Sequence, residues 1–298
     1  MSESQNPEIK FAAERYGAGI TSFLRRDFEA NLEAENAELV QVERGAVLHA
    51  AMTTNPMRDH WVERLVVLAL AGGERHVKVV DRLGHQRAVY RPLLIYAWLL
   101  AFKLEYERLP REAFGRWEEA LRPWCDALEA SLVAPFGPEV IPATSGAAAG
   151  EAAWTALALH QAGKLFIRDA WVDLAADTFG RITRLQQSNG AFLAASGAEH
   201  PESTWYHELQ ILHAAASYAV QAEDRTIAGA VERATEFHQR QTQPDHATTQ
   251  PWGLFAFIWN TRTRPLADQL LHATALGELD GVSLILLCDS LYCLRLFL

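Results

Sequence analysis

Several ingredients are scarce in this chain, and each scarcity removes a class of answer. Cysteine occurs three times, at Cys125, Cys288 and Cys293, with no C-x-x-C pair. An odd count in apolar surroundings implies buried thiols and a reducing compartment, not a disulfide framework. Lys and Arg total 27 against 37 Asp and Glu, a formal charge of −10. No basic run interrupts that balance, so neither nucleic acid nor an anionic membrane is the expected partner. Every apolar run is broken by a charge before the ~18–20 residues that a bilayer span needs. The N-terminus, MSESQNPEIK, has neither the basic nor the apolar region of a secretory signal. A soluble cytoplasmic protein is the expectation.

Metal-site spacing is equally scarce. Eleven histidines are present, but no H-x-x-x-H, no H-E-x-x-H and no Cys/His cluster, so no metal and no cofactor are expected. Glycine-rich phosphate loops with a Walker lysine do not occur. The stretch Thr144–Gly150 opens a helix and is rich in small residues, which suits close helix packing or an anion on backbone N–H groups. Strand-like alternation is confined to brief V-x-V segments at 76–80 and 139–141.

What remains is helical periodicity throughout, in a chain with 49% hydrophobic and 21% charged residues. Helices apolar on all sides are buried on all sides, and helices with one polar face lie at a surface. The two kinds take turns here. Segments 86–107, 146–162, 203–220, 251–261 and 281–298 read as inner helices; 111–132, 165–187, 224–241 and 265–275 read as outer ones. Pro92 kinks the first of these or marks its first turn. In 111–132 an apolar stripe runs through Trp117, Leu121, Trp124 and Leu128, and Asp224 is placed to cap the helix over 224–241. This alternation predicts an all-α fold, an α/α toroid of about five to six helix hairpins. Residues 1–60 are expected to wrap the same domain as an incomplete first hairpin, and 61–298 to form the toroid.

Connection lengths carry a second asymmetry. Inner-to-outer links are short (109–110, 163–164, 221–223, 262–264), whereas 72–85, 133–145, 188–202 and 242–250 are long. In a ring of hairpins all links of one kind emerge on one rim, and long loops in compact domains tend to carry function. That rim is the expected working face. Aligning Gln187 with Gln243 also aligns Arg184 with Arg240 and Asn189 with Asp245, a weak repeat at the ends of successive outer helices.

The stretch 186–192, QQSNGAF, resembles the Q-x-x-x-G-x-aromatic turn of the squalene-cyclase and prenyltransferase α/α toroids, with Gln186, Gly190 and Phe192 in the three positions. The resemblance implies that Gln186 ties an outer helix end to the next loop. It implies architecture and no activity, because the cyclases' D-x-D-D acid has no counterpart here. The helical toroids of polysaccharide lyases and unsaturated-glucuronyl hydrolases are similar in the same architectural sense.

Two places carry the candidate chemistry. At ~100° per residue, Tyr206, Gln210, His213 and Ser217 share one stripe of the inner helix over 203–220. Trp205, Leu209 and Leu212 lie on a neighbouring stripe, and His207, Ile211 and Tyr218 on a third. A polar row in a buried helix either bonds to neighbouring helices or faces a wet cavity. In the second case Tyr206, His207 and His213 are proton carriers. The other place is the loop QPDHATTQPW, with Asp245 and His246 as acid and base, Gln250 as a polar contact and Trp252 as a platform. The alternative is an Asx turn at Asp245, a cap at Thr249 or Gln250, and a core Trp252. Trp205 would be a second wall, and His200 lies on the same rim. Glu208, among apolar neighbours, reads as a paired structural carboxylate or as an acid whose pKa burial has raised. The expected function is a cavity enzyme using general acid–base chemistry, lyase- or hydrolase-like, on a carbohydrate-like or small organic ligand. The rival is a non-catalytic toroid that binds a partner protein or an apolar ligand.

Overall fold

The computed structural model describes residues 6–33, 87–105, 111–133, 146–193, 201–241, 250–276 and 279–298. Among these there are ten α-helices and no strand. They are α1 (Asn6–Glu33), α2 (Tyr90–Glu105), α3 (Arg111–Val133), α4 (Gly146–Phe166), α5 (Asp169–Arg184), α6 (Pro201–Gln221), α7 (Arg225–Gln241), α8 (Leu254–Trp259), α9 (Arg264–Leu276) and α10 (Gly281–Arg295). Both V-x-V alternations lie outside the described residues.

The expected alternation governs the packing. Helix α2 packs on α4, α4 on α6, α6 on α8, α8 on α10, and α10 returns to α2. These five helices fall in the segments read as inner from the sequence. The amphipathic helices lie against them: α3 on α2 and α4, α5 on α4, α7 on α6, and α9 on α8, while α1 packs on α10. The stripe of α3 is buried as its spacing requires, at Trp117, Leu121, Trp124 and Leu128. Trp117, Trp154, Trp171 and Trp252 are fully buried, each worth roughly 2–3 kcal/mol of hydrophobic free energy. Pro92 falls in the first turn of α2, where its missing N–H costs nothing.

Two hairpins share one turn. After α4, Ile167 takes a left-handed conformation (φ 54°) and Arg168 N–H donates to the Gly163 carbonyl at 2.9 Å. After α6, Glu223 does the same (φ 55°), and Asp224 N–H reaches Ala219 O at 2.9 Å. This bond spans five residues back and satisfies a carbonyl that the helix end leaves open. It also explains why α4 runs on to Phe166 and α5 starts only at Asp169, later than the sequence spacing suggests. Asp224 then caps α7, its Oδ1 accepting from Thr226 N (2.8 Å) and Ile227 N (3.0 Å).

Helix α8 is shorter than the expected 251–261. Left-handed Gly253 (φ 78°) delays its start, and Asn260 ends it by accepting from Arg262 N–H at 3.1 Å.

In the turn after α5 the glutamine side chain bridges two chain segments. Gln186 Nε2 donates to Gly190 O (3.0 Å) and to Ala230 O of α7 (2.8 Å), while its Oε1 accepts from Arg233. Gly190 has φ 99°, and a Cβ there would lie 2.4 Å from the Arg233 carbonyl oxygen, so only glycine fits.

Ile167 is 87% exposed, so its side chain contributes little packing to offset its left-handed backbone. Replacing Ile167 with Gly is expected to raise unfolding stability by about 0.5–1 kcal/mol, the relieved strain minus the added chain entropy. Urea denaturation of the variant against the parent measures this.

Candidate functional site

All five inner helices start at one end. Tyr90, opening α2, meets Tyr206 near the start of α6, their hydroxyl oxygens 3.2 Å apart. Tyr206 donates to Gln250 Oε1 (3.3 Å), just before α8. Gln250 Nε2 donates to Asp280 Oδ2 (3.0 Å), and Asp280 Oδ1 caps α10 by accepting from Ser283 N (2.7 Å). Gly146, opening α4, sits against His207, where a Cβ would be 2.9 Å from the histidine Cβ. One turn on, a Cβ at Gly150 would be 2.7 Å from Gln210 Oε1. The small residues of 146–150 therefore serve close packing of α4 on α6.

This end has a defined polar surface. The Arg87 guanidinium lies over the Tyr206 ring, 4.5 Å from its centroid. His207 is half-buried, with Nδ1 3.2 Å from Gln210 Oε1, so its ring hydrogen is held on Nδ1. Trp252 Nε1 also donates to Gln250 Oε1 (2.9 Å). Burial raises the Tyr206 phenol above its ordinary value, against the hydrogen bond with Tyr90 and the charge of Arg87. The Gln210 side chain is buried, and its Nε2 meets no acceptor within hydrogen-bond geometry.

Deeper between the same helices lies a second polar cluster. Asp289 of α10 is fully buried. Its Oδ1 accepts from the Tyr96 hydroxyl of α2 at 2.5 Å. Its Oδ2 accepts from the Ser217 hydroxyl and meets His213 Nε2 at 3.1 Å, both from α6. His213 Nδ1 accepts from the Gly253 N–H at 3.0 Å. That bond fixes the tautomer: Nε2 carries the hydrogen and donates it to Asp289. Both ring nitrogens are thereby committed. Gln221 Nε2 adds a bond to the Tyr96 oxygen (2.6 Å). The Cys293 thiol is pushed well above its usual range by burial and by Asp289, which leaves it unreactive.

The structure joins Tyr206, Gln250 and Trp252 directly, with His207 and Gln210 beside them. It places His213 in the deeper cluster. Trp205 turns away, stacking on Phe237 of α7 with centroids 5.6 Å apart. Trp252 is fully buried and edge-on to Trp154, so it offers no open platform. His200, Asp245 and His246 lie outside the described residues. Sequence reasoning missed Arg87, Tyr90, Tyr96 and Asp289. A signal for the last was available, since Asp289 is an acid in the middle of the apolar run VSLILLCDSLYCLRLF.

Glu208 does hold a loop. Its Oε2 accepts from Phe192 N (3.0 Å) and its Oε1 from Leu193 N (2.6 Å). Burial nevertheless pushes its carboxyl up to about 7, with those two N–H groups pulling the other way. Among the described residues no cluster of three metal-ligating side chains occurs, and no helix is long and apolar enough to cross a membrane. No protein-family model matches the chain, and no curated protein or solved structure matches it significantly.

Two expectations follow for stability. Asp289→Ala strands three buried donors from two helices, and should cost about 3–5 kcal/mol in urea unfolding. Asp289→Asn keeps an acceptor for Tyr96 but turns an amide towards the other donors, and should cost less.

The second concerns pH. Between about 4.5 and about 7 folded Glu208 holds a proton that the unfolded chain has released. Folding then binds a proton, so stability falls as pH rises through this window and levels off above it. The total is about 3 kcal/mol. From pH 5 to 8 the parent should lose about 2–3 kcal/mol of unfolding stability relative to Glu208→Gln. Parallel pH dependences would show that the carboxyl ionises normally.

Proposed function

We propose that this chain is an α/α toroid that binds a small, polar, carbohydrate-like or organic ligand at the end where its inner helices begin, without transforming it. The toroid reading is supported by the closed circuit of contacts from α2 through α4, α6, α8 and α10 back to α2, with the amphipathic helices outside. The binding reading rests on one observation. Between those helices, Tyr96, His213 and Ser217 are each bonded to Asp289, and all four are fully buried, so these polar groups are committed to the interior and not offered to a substrate.

What stays accessible is the surface above them. Arg87 is exposed, and Tyr206 and His207 are half-buried. Hydroxyl, imidazole and guanidinium groups suit a ligand with several hydroxyls and a carboxylate. The starts of α2, α4, α6 and α10 point the positive ends of their dipoles the same way. A uronic acid fits that chemistry better than a neutral sugar.

A catalytic reading keeps one specific support. The Tyr90 and Tyr206 hydroxyls share a hydrogen bond beneath Arg87, an arrangement able to pass a proton to a bound substrate. In that reading His207, Asp245 and His246 are further proton carriers, and the reaction is lyase- or hydrolase-like.

The test is calorimetric titration with glucuronate and with glucose at low ionic strength. Glucuronate is expected to bind more tightly, and Arg87→Ala and Tyr206→Phe each to weaken it by about threefold to tenfold. Heat from neither sugar, or binding indifferent to both substitutions, would remove the proposal. Following an unsaturated uronic-acid disaccharide by proton NMR separates the two readings, because only the catalytic one expects Tyr206-dependent conversion.

A further inference from the structure

A separate cleft lies on the outside of the helix circuit, among α1, α7 and α8. Its volume is about 420 Å³, and Glu8, Arg225, Glu232, Trp259, Asn260 and Arg262 line it. That volume suits a small molecule and is too small for a folded partner. Its floor is apolar, at the buried Ile9 and Ala256.

The charges on its walls fall into two groups. Arg262 is occupied, with Nη1 3.2 Å from Glu236 Oε1, and Glu8 accepts from the Thr261 hydroxyl at 3.4 Å. Arg225 and Glu232 form no ion pair among the described residues. Both are exposed and stand on the same face of α7, seven residues apart, which is about 10 Å along a helix. A cation and an anion thus rise from backbone positions about 10 Å apart, unpaired with each other, across a pocket with an aromatic side. Arg225 also opens α7, where the helix dipole adds to its positive charge.

A ligand complementary to this has a carboxylate and an ammonium about 10 Å apart with an apolar group between them. An extended chain of three residues spans about 10 Å. We propose that the cleft binds a short free peptide of three residues, its α-carboxylate on Arg225, its α-ammonium on Glu232 and its central side chain against Trp259 and the Ile9–Ala256 floor. The polarity is set by Arg225 and the helix start acting together.

The experiment is calorimetric titration of the full chain with alanyl-leucyl-alanine, and with the same peptide acetylated and amidated at its ends. The free peptide is expected to bind, and the capped one at least about fivefold more weakly, as loss of exposed ion pairs implies. Arg225→Gln and Glu232→Gln should each cost the free peptide about threefold to fivefold, and should leave the capped peptide unchanged. Gly229→Leu is the steric test. Gly229 lines the cleft, and a Cβ there meets only the tip of Arg233 at 3.7 Å, so the variant folds while filling the space. It is expected to abolish binding. Equal binding of free and capped peptides, retained binding in Gly229→Leu, or no binding of the free peptide would each overturn the proposal.

Discussion

The carboxylate of Asp289 is the point on which the interior depends. A charge-bearing group with no exposed surface is tolerable only if its lone pairs are filled, and here they are filled from two other helices. Tyr96 comes from α2, and His213 and Ser217 come from α6. Each of these donors is itself buried, so each requires the acceptor as much as the acceptor requires them. The requirement then passes outward. His213 can donate to Asp289 only with its hydrogen on Nε2, and the Gly253 N–H bound to Nδ1 fixes that tautomer. Gly253 is the left-handed residue that starts α8, so three long helices and one short one are set relative to each other by a single carboxyl group. An apolar substitute of equal volume would pack, but it would not define rotation and height along the helix axes as a set of directional bonds does.

That geometry also separates the two ends of the molecule. Where the inner helices begin, the side chains are Tyr90, Tyr206, Gln250 and Asp280, linked in one path of hydrogen bonds. Where they end, basic residues stand in the last turns of three of them, Lys103, Lys164 and Arg295. Those cations offset the negative ends of the helix dipoles. Lys103 also donates to the Tyr292 hydroxyl at 2.6 Å, and burial lowers its pKa. The short hairpin turns leave this end little extra chain, and Ile167 and Glu223 close two of them with the same backbone bond. Variation in length is therefore concentrated where the long connections enter the inner helices, beside Tyr206 and Gln250.

Much of this was legible before any coordinates, and the limits have physical causes. Helix type could be read because burial on all sides and burial on one side leave different residue patterns, and the packing partners of α3, α5, α7 and α9 follow them. The stripe Tyr206, Gln210, His213, Ser217 was legible because it depends on one helix's own periodicity. Its partners were not, because they lie on other helices: Asp289 is 72 residues beyond Ser217 and Tyr96 is 193 before Asp289. Periodicity says which way a side chain points and nothing about what it meets. The length of α8 was misjudged for a different reason. Gly253 and Asn260 act through backbone conformation and a local cap, and both are hidden in an apolar stretch that otherwise looks continuous.

The contrast between His213 and His207 shows how far residue type alone carries a functional argument. Both belong to α6, six residues apart, and both suit proton transfer by their ordinary chemistry. The interior takes one of them out of play: a ring with an N–H donor on one nitrogen and a buried carboxylate on the other has no lone pair to offer a substrate. The other is half-exposed, with Nδ1 turned to Gln210 and the ring edge-on to Tyr206 at 5.7 Å. Depth along the helix decides between them: His207 lies in the second turn of α6 and His213 nearly two turns further in. A polar residue near the start of an inner helix is available to a ligand, and one two turns deeper serves the fold.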